Sequence, residues 1–553
     1  MNTLVRLTVA TLIPLAAALA PATAQAQAPA QPAPDGAPPA APDAQPPSTP
    51  GSAPAAQAPD NAPPSTTSAA PTPMAEPATK PKVEPPKGAE WTSLRILHDK
   101  GIISDDELAA AIKDIGITGA GDATTLVVSK IKATIYGFAQ ADFQYQSTQA
   151  CTDFCSNTQV PRDDTYKGNH GRTLFSPRDS RFGFRVAAPE EHGIKSSGLL
   201  EGDFEGPTAT SEQGTFVNPV FRIRHAYLKF ETPYVDILMG QTWSLFGWQS
   251  NFLAASVQLP GLPGQLFERT TQFRVSKTIK SEPVNVELAI AANRAPQQDS
   301  AYPEGVAGIK VNFNKWTGQH TSYLTATTIN AASIAISGDL RGFRFPEFTG
   351  APRHGITKMG GGVTFDVFLP IIPATKTSKD NALAITGELV IGAGTSDAYT
   401  ALGAAGTANA TLRPPVGGGP APVYTPNWDP GLAVVDANGN FELVKWTTYT
   451  VAAEYYVPHT EGRLGLLANF QHSESPNAKD IGAAAVTTVT TAAQQAAARA
   501  RVRDHEELYE LGIFGDPTHA TRLGLSGSMY DDTYGDGKDA KNYVVLMSGF
   551  IFF

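Results

Sequence analysis

From Ile131 to the C-terminus, apolar and polar residues alternate with a period of two in one segment after another. Clear examples are Arg181–Val186, Gln272–Ser276, Ile309–Phe313, Arg463–Gln471 and Arg522–Met529. Successive side chains of a β-strand point to opposite faces, so this repeated pattern predicts an all-β domain. After the first twenty residues, no apolar run approaches the roughly 18–20 residues that a membrane-spanning helix needs.

A water-soluble sandwich and a membrane barrel both alternate in this way, and the connections discriminate between them. Tight turns at 189–193, 232–234, 458–461 and 515–518 alternate with long excursions at 147–178, 206–219, 243–267, 330–355, 394–444 and 474–502. Short turns on one rim and long loops on the other are typical of outer-membrane barrels. We therefore predict an all-β, sixteen-stranded antiparallel transmembrane β-barrel over residues 131–553. Its strands should start near residues 131, 179, 194, 220, 235, 268, 284, 304, 319, 356, 380, 445, 461, 503, 521 and 541.

The last strand carries an apolar stripe that ends on an aromatic residue. Tyr543, Val545, Met547, Ile551 and Phe553 share one face of this strand. A lipid-facing stripe of this kind suits the interfacial girdle of a barrel, and it resembles the signal that outer-membrane barrels present to the barrel assembly machinery. The alternative is an ordinary hydrophobic C-terminal strand.

The first 26 residues resemble a secretory signal peptide, with Arg6 before the apolar stretch Leu7–Ala20. That stretch is too short for the alternative, a membrane anchor. Export places the chain in an oxidising compartment, where Cys151 and Cys155 would form a small loop disulfide. A two-cysteine metal site is less favoured, because no paired His or Cys cluster lies nearby to complete it.

Residues 27–88 form a linker rich in proline and alanine, since these two residue types fill 36 of the 64 positions from 25 to 88. Extended polyproline II of that length reaches on the order of 200 Å. The alternative is a disordered tail without a partner. Residues 89–130 follow as a helical module, in which Ser104 and Glu107 form a capping box. We expect this N-terminal segment to lie in the periplasm, where the helices self-associate or pack at the base of the barrel.

Three local strings resemble one family. Gly198–Phe204, Arg222–Tyr227 and Met239–Phe246, in this order and followed by the terminal Phe553, are similar to strings in porins of the DcaP-like group. The resemblance covers roughly residues 130–553. It implies a homotrimer of sixteen-stranded barrels in the outer membrane of a Gram-negative bacterium, which pass small anionic solutes, including dicarboxylates. The Pro/Ala linker departs from the helical or coiled-coil extension that members more often carry.

The excursion from Trp243 to Phe267 is too apolar for a solvated loop, because it contains Trp243, Phe246, Trp248 and Phe252. A sixteen-stranded barrel is wide enough to enclose an aqueous lumen. We predict that this segment folds back into the barrel and narrows it as a constriction loop. The alternative is that it caps an adjoining subunit.

The positions of basic residues suggest a path for anions. If Phe182 and Phe184 face lipid, Arg181 and Arg185 face the lumen, since a lipid-facing Arg at mid-depth costs about 2–4 kcal/mol. The same reasoning adds Arg222, Arg224, Arg274, Lys310, Arg463 and Arg522 to the substrate path. The alternative is that many of these residues are structural ion pairs with inward carboxylates of Asp142, Glu201, Asp203, Glu205, Glu287, Asp366, Glu388 and Glu454. The strand Phe221–Glu231 has an ambiguous phase, because its apolar Leu228 and Phe230 share parity with Arg222 and Arg224.

Other chemistry is weakly indicated. The sequence has no Gly-rich phosphate loop before a helix, no HExxH metal site and no G-x-S-x-G elbow, so we expect no enzyme, no cofactor and no metal. The acidic hairpin Asp531–Gly537 is either a weak calcium site or an ordinary polar loop. The net charge of −10 disfavours nucleic acid as a partner.

Two functions remain after these exclusions. The first is an outer-membrane porin for passive diffusion of small, preferentially anionic solutes such as dicarboxylates. The second is a structural, envelope-tethering barrel that is anchored in outer-membrane lipid, while its N-terminal segment engages peptidoglycan.

Overall fold

The computed structural model describes the following residues: 100, 104, 125–128, 131–151, 159–206, 220–258, 262–297, 300–320, 328–347, 353–375, 377–400, 402, 428–429, 431–435, 441–484 and 491–553. The signal peptide, the Pro/Ala linker and nearly all of the helical module lie outside these residues. Within the range assigned to that module, Thr125–Val128 form a short strand.

Strands dominate the described chain. In order they are β1 (Thr125–Val128), β2 (Ile131–Gln146), β3 (Arg172–Ser176), β4 (Arg181–Ala187), β5 (Lys195–Asp203), β6 (Arg222–Glu231), β7 (Asp236–Trp243), β8 (Arg269–Lys280), β9 (Val284–Asn293), β10 (Glu304–His320), β11 (Thr328–Pro346), β12 (Gly355–Ile372), β13 (Leu383–Ala393), β14 (Ala433–Val435), β15 (Phe441–Leu443), β16 (Lys445–Tyr456), β17 (Leu464–Glu474), β18 (Arg503–Thr518), β19 (Thr521–Tyr534) and β20 (Asp539–Phe552). Two short helices, α1 (Ala478–Ala484) and α2 (Ala492–Arg499), lie between β17 and β18.

The sheet closes into a barrel of sixteen antiparallel positions. β2 pairs with β4 at one edge and with β20 at the other, and the strands between them pair in sequence order, with β13 followed by β16. β3 and β4 share one position, because β3 pairs with the second half of β2 and β4 with the first. β1 pairs with the start of β2, and β14 and β15 form a separate hairpin. The predicted fold class is confirmed.

The two faces of the wall differ in polarity. Large apolar side chains are exposed on the outside, among them Ile290, Leu340, Val363, Leu511 and Leu523. The inward positions are largely polar, as in β2, where Gln140, Asp142, Gln144 and Gln146 alternate with outward residues. This polarity is the inverse of a water-soluble protein and matches a barrel immersed in lipid. No helix among the described residues is long and apolar enough to cross a bilayer.

Fifteen of the sixteen predicted strand starts lie within three residues of the start of a strand in the structure. The ninth is wrong, because residue 319 still belongs to β10 and the next strand, β11, begins at Thr328. The expected excursion at 330–355 is wrong for the same reason, since β11 occupies Thr328–Pro346. Alternation in this region is weak because Gly338 and Gly342 interrupt the apolar face of β11.

The terminal strand closes the barrel beside the strand that opens it. The Phe553 backbone N–H donates to Gly137 (3.0 Å), and the Gly137 N–H donates back to Phe553 (2.9 Å). Tyr543, Val545, Met547, Ile551 and Phe553 all face outward, and each is about half exposed. The N- and C-terminal strands of the barrel therefore meet at the rim of short turns.

Candidate functional site

The inner wall formed by β4 to β8 carries a ladder of charged and aromatic residues. Pairing across these strands places Arg181, Asp203 and Arg222 in one row nearest the long loops. In the next row towards the short turns, Glu201 lies opposite His225. Below it, Arg185 is in register with Leu199 and Tyr227. In the row after that, Lys229 is in register with Leu238, and Leu238 with Arg274.

A β-bulge in β6 settles the phase that the sequence left ambiguous. Glu201 pairs with His225 and Gly202 pairs with Ile223, so that Arg224 is an extra residue without a partner in the ladder. Because the bulge shifts the alternation by one residue, Arg222 and Arg224 point inward while Leu228 points outward and is 56% exposed. The alternation of inward and outward residues in β6 therefore holds separately before and after Arg224, but it does not continue across that residue.

The upper part of the ladder is a network of ion pairs. Arg222 forms a bidentate pair with Asp203 (3.0 and 2.8 Å), and Arg224 contacts both Asp203 (2.6 Å) and Glu201 (3.1 Å). Arg181 lies 3.6 Å from Glu201, whose other oxygen accepts a hydrogen bond from the Tyr136 hydroxyl (2.7 Å). The geometry of Arg181, Arg222 and Arg224 therefore fits the alternative interpretation, in which these residues form structural ion pairs with inward carboxylates.

Two of the predicted path residues have no carboxylate partner within ion-pair distance in the described part of the chain. The Arg185 guanidinium lies over the Tyr136 ring, 4.2 Å from its centroid, and the residue is exposed to the lumen. Arg274 donates to Gln272 (2.8 Å) and to the Trp243 carbonyl (2.6 Å) and remains partly exposed. These arginines flank Tyr227 of β6 and leave two positive charges on the lower half of the wall.

The remaining basic residues of the predicted path lie elsewhere. Lys310 points inward and contacts Glu287 (3.1 Å) and the ring of Trp248. Arg522 is buried near the short turns, where it forms a bidentate pair with Asp516 (2.7 and 2.9 Å). Arg463 lies in the turn before β17, is half exposed and pairs with Glu461.

The described parts of the constriction loop, 244–258 and 262–268, enter the barrel and pack on its inner wall. Phe246, Trp248 and Phe252 are almost fully buried against inward residues of the opposite strands, including Ala289, Val306, Ala335, Phe368 and Val390. The Gly247 N–H donates to the Ser337 hydroxyl (2.8 Å), and the Leu266 N–H donates to the Glu388 carboxylate (2.8 Å). Trp243, at the end of β7, packs with Leu253, Phe138 and Phe550.

The same loop also reaches the wall on the other side of the lumen. The Asn469 amide of β17 donates to the Ala255 carbonyl (2.8 Å), and Gln258 donates to Asp142 of β2 (3.3 Å). Val257 lies so close to the wall that a Cβ on Gly524 would come within 2.7 Å of it. The constriction loop therefore spans the barrel from β10–β13 to β17–β19.

A second segment braces the constriction loop from the long connection after β13. The N–H groups of Gly264 and Phe267 donate to the carbonyls of Thr400 (2.8 Å) and Ala398 (2.7 Å), and the Thr400 N–H donates back to Gln265 (2.9 Å). The start of this connection is fixed by Arg341, which is fully buried and contacts the carboxylates of Glu304 (2.9 Å), Asp339 (3.0 Å) and Asp397 (2.5 Å).

Two titratable groups of these loops are strongly desolvated. Burial raises the pKa of the Glu268 carboxyl, at the base of the constriction loop, to about 7. Burial also raises the pKa of the Tyr399 hydroxyl. At the loop rim the effect is the opposite, because a hydrogen bond from Arg162 holds the pKa of Asp536 below its ordinary value.

Cys151 is disulfide-bonded and buried, and its carbonyl accepts a hydrogen bond from Gln146 (3.0 Å). The other cysteine of the chain, Cys155, lies outside the described residues.

Comparison with solved structures identifies the fold. The outer-membrane channel DcaP of Acinetobacter baumannii matches with a TM-score of 0.53 and 17% sequence identity, over 76% of this chain and 97% of DcaP. The chain has the fold of an outer-membrane channel. The resemblance of its sequence to the DcaP-like group is thus confirmed at the level of fold.

Other structures of outer-membrane proteins match less well. The in-vitro folded OmpT of Vibrio cholerae gives a TM-score of 0.42 at 10% identity, over 78% of this chain and 100% of OmpT. The anion-selective porin of Comamonas acidovorans gives 0.41 at 10% identity, over 76% of this chain and 100% of that porin. No protein-family model and no curated protein matches the sequence.

Sequence reasoning missed the bracing segment around Tyr399 and the anchor Arg341. A signal for the loop contacts was nevertheless present, because glycines occupy inward positions where the constriction loop approaches the wall. A Cβ on Gly308 would lie 2.8 Å from the Trp248 indole nitrogen, and one on Gly362 would lie 3.0 Å from the Phe246 ring.

Proposed function

We propose that the protein is a passive diffusion channel of the outer membrane that favours small anionic solutes such as dicarboxylates. The observation that carries this proposal is the pair Arg185 and Arg274, which lie on the inward wall with no carboxylate within ion-pair distance among the described residues. A fixed positive charge beside a narrow aqueous path raises the local concentration of anions and lowers that of cations.

The constriction loop supports a size limit in addition to the charge preference. It is anchored on both sides of the lumen, by Ser337 and Glu388 on one side and by Asn469 on the other. A sixteen-stranded barrel without such a loop leaves a wide aqueous channel. We therefore expect the passage to admit small solutes only.

Conductance of the purified protein in planar bilayers tests this proposal. In a potassium chloride gradient, the reversal potential should show a higher permeability for chloride than for potassium, and a small dicarboxylate added on one side should carry current or reduce the chloride current. A clear preference for potassium would overturn the anionic preference. The absence of any channel events would overturn the diffusion function itself.

We further propose that the chain forms a homotrimer through the outer face of β4–β7. These strands have only 7–10 residues, whereas β10–β12 have 17–19, so this side of the wall is low. Its outer surface holds an apolar groove of about 770 Å³ lined by Phe184, Val186, Leu200, Leu228 and Met239. Cross-linking in native membranes should give a trimer, and Leu228→Arg should weaken it. Monomers alone would contradict the proposal.

We also propose that the N-terminal segment tethers the barrel to peptidoglycan. β1 and the start of β2 lie at the short-turn rim, the side that outer-membrane barrels turn to the periplasm. There the Pro/Ala linker would hold the helical module near peptidoglycan. Co-sedimentation of the full chain with isolated cell wall should exceed that of a chain lacking residues 27–130, and equal sedimentation would contradict tethering.

A further inference from the structure

An outward-facing polar cluster interrupts the apolar exterior near the long-loop ends of β17 and β18. His472 and Glu474 occupy successive outward positions at the end of β17, and His505 and Glu507 occupy the outward positions at the start of β18. The aromatic residues Tyr449, Phe470 and Tyr509 lie on the same outer face; Tyr449 stacks on His472, and Phe470 packs against Tyr509. The cluster thus sits where the aromatic girdle meets the aqueous rim.

The four side chains converge on one another. One ligand atom each of His472, Glu474 and His505 lie within 4.8 Å of one another, and the two imidazole rings are 4.3 Å apart between centroids. Ligands of a tetrahedral Zn²⁺ are separated by about 3.4 Å, given metal–ligand distances of about 2.0–2.1 Å. Small side-chain rotations would bring these three groups to that spacing.

Glu507 orients both imidazoles. Its Oε1 lies 3.2 Å from Nδ1 of His472 and 3.4 Å from Nε2 of His505, and its Oε2 accepts a hydrogen bond from the Tyr509 hydroxyl (2.8 Å). A carboxylate at Nδ1 holds the proton on that nitrogen and leaves Nε2 of His472 with a lone pair. This is the outer-sphere arrangement that metal-binding histidines show in proteins.

We propose that His472, Glu474 and His505 bind one divalent transition-metal ion of the zinc class, with Glu507 as the positioning residue. Two imidazoles and one carboxylate suit Zn²⁺, Ni²⁺ and Cu²⁺, whereas Ca²⁺ and Mg²⁺ require more oxygen ligands. Three protein ligands leave one coordination position open. Glu474 is 61% exposed and His505 is 30% exposed, so an ion reaches the site directly from the rim. This site is independent of the lumen.

Isothermal titration calorimetry of the chelator-treated full chain in detergent, with Zn²⁺ as the titrant, tests the proposal. We expect one site per chain, and His472→Ala and His505→Ala should raise its dissociation constant by more than about 100-fold. Glu507→Gln should raise it by about 10–100-fold, the range expected for an outer-sphere partner. Co²⁺ should give a visible absorption band in the unaltered chain but not in His472→Ala or His505→Ala.

The control is His354→Ala, which removes an exposed histidine of the connection between β11 and β12. It should bind Zn²⁺ like the unaltered chain. If His472→Ala does not fold, His472→Gln replaces it, because the amide retains much of the side chain's size and polarity. Zn²⁺ affinity that is equal in the unaltered chain and the His472 and His505 variants overturns the proposal, as does a Co²⁺ spectrum that does not depend on His505.

Discussion

Removing the charges of Arg185 and Arg274 should reduce the anion preference of the channel. Both residues point into the lumen, and neither has a carboxylate partner within ion-pair distance in the described chain. The double variant Arg185→Gln, Arg274→Gln therefore removes two positive charges without leaving a partner carboxylate unpaired.

The size of the effect follows from the Coulomb energy in a water-filled passage. An ion about 8 Å from one charge interacts by about 0.5 kcal/mol in water, and 0.1 M salt reduces this to about 0.2 kcal/mol. Two charges thus favour an anion by about 0.5 kcal/mol and disfavour a cation by the same amount. The permeability ratio of chloride to potassium should fall about fivefold at 0.1 M salt, and the change should almost vanish at 1 M.

Reversal potentials in planar bilayers, measured with shallow potassium chloride gradients around each salt concentration, provide the readout. Arg463→Gln is the control, because it removes the same charge from the turn before β17 and should leave the ratio nearly unchanged. Arg185→Lys with Arg274→Lys should retain the preference. An unchanged ratio in the double Gln variant, or an equal loss in the Arg463 variant, would refute the assignment.

Three further substitutions test the constriction and its supports. Trp248→Ala should weaken loop packing by about 3–5 kcal/mol and raise single-channel conductance, whereas the partly exposed Trp316→Ala should not. Because the pKa of Glu268 is raised from its ordinary value of 4.5 to about 7, protonation of this carboxyl stabilises the folded loop fully below pH 4.5, and this contribution is lost progressively as pH rises to about 7. Open-channel current noise should accordingly increase from pH 6 to pH 8 in the unaltered chain but not in Glu268→Gln. Arg341→Leu should lower the free energy of unfolding by about 3–5 kcal/mol, because it leaves the buried carboxylates of Glu304 and Asp339 and the partly buried carboxylate of Asp397 without their cation. Urea unfolding in detergent measures this loss; the exposed Arg344→Leu is its control, and equal midpoints would contradict the role of Arg341.

The barrel was largely predictable because its physical signal is local. Alternation depends only on neighbouring residues, so strands such as β8 and β18 were placed within one residue from their side-chain pattern alone. The same signal failed where small residues removed the contrast, as in β11. It was also ambiguous in β6, where the extra residue Arg224 reverses the parity.

The site was less predictable because it depends on contacts between distant parts of the chain. The apolar residues of the constriction loop predict that it is buried. Its hydrogen-bond partners Ser337, Glu388 and Asn469 cannot be identified without the register of the barrel. The alternation of apolar and polar residues also predicts that several arginines face the lumen, but it does not show which of them form ion pairs with carboxylates. Only the structure shows that Arg222 forms an ion pair with Asp203, whereas Arg274 donates to a backbone carbonyl.

The bulge in β6 determines where this strand tolerates the loss of a residue. Deleting Arg224 would join Ile223 directly to His225 and restore an unbroken register, with Arg222 still opposite Asp203 and Leu228 still facing lipid. Deleting a residue between Leu228 and Glu231 would instead move the following side chains of β6 to the opposite face, or change the register of the hairpin that β6 forms with β7. A single-residue deletion in β6 therefore preserves the register only at Arg224, where it removes the ion pairs with Glu201 and Asp203, and not along the second half of the strand.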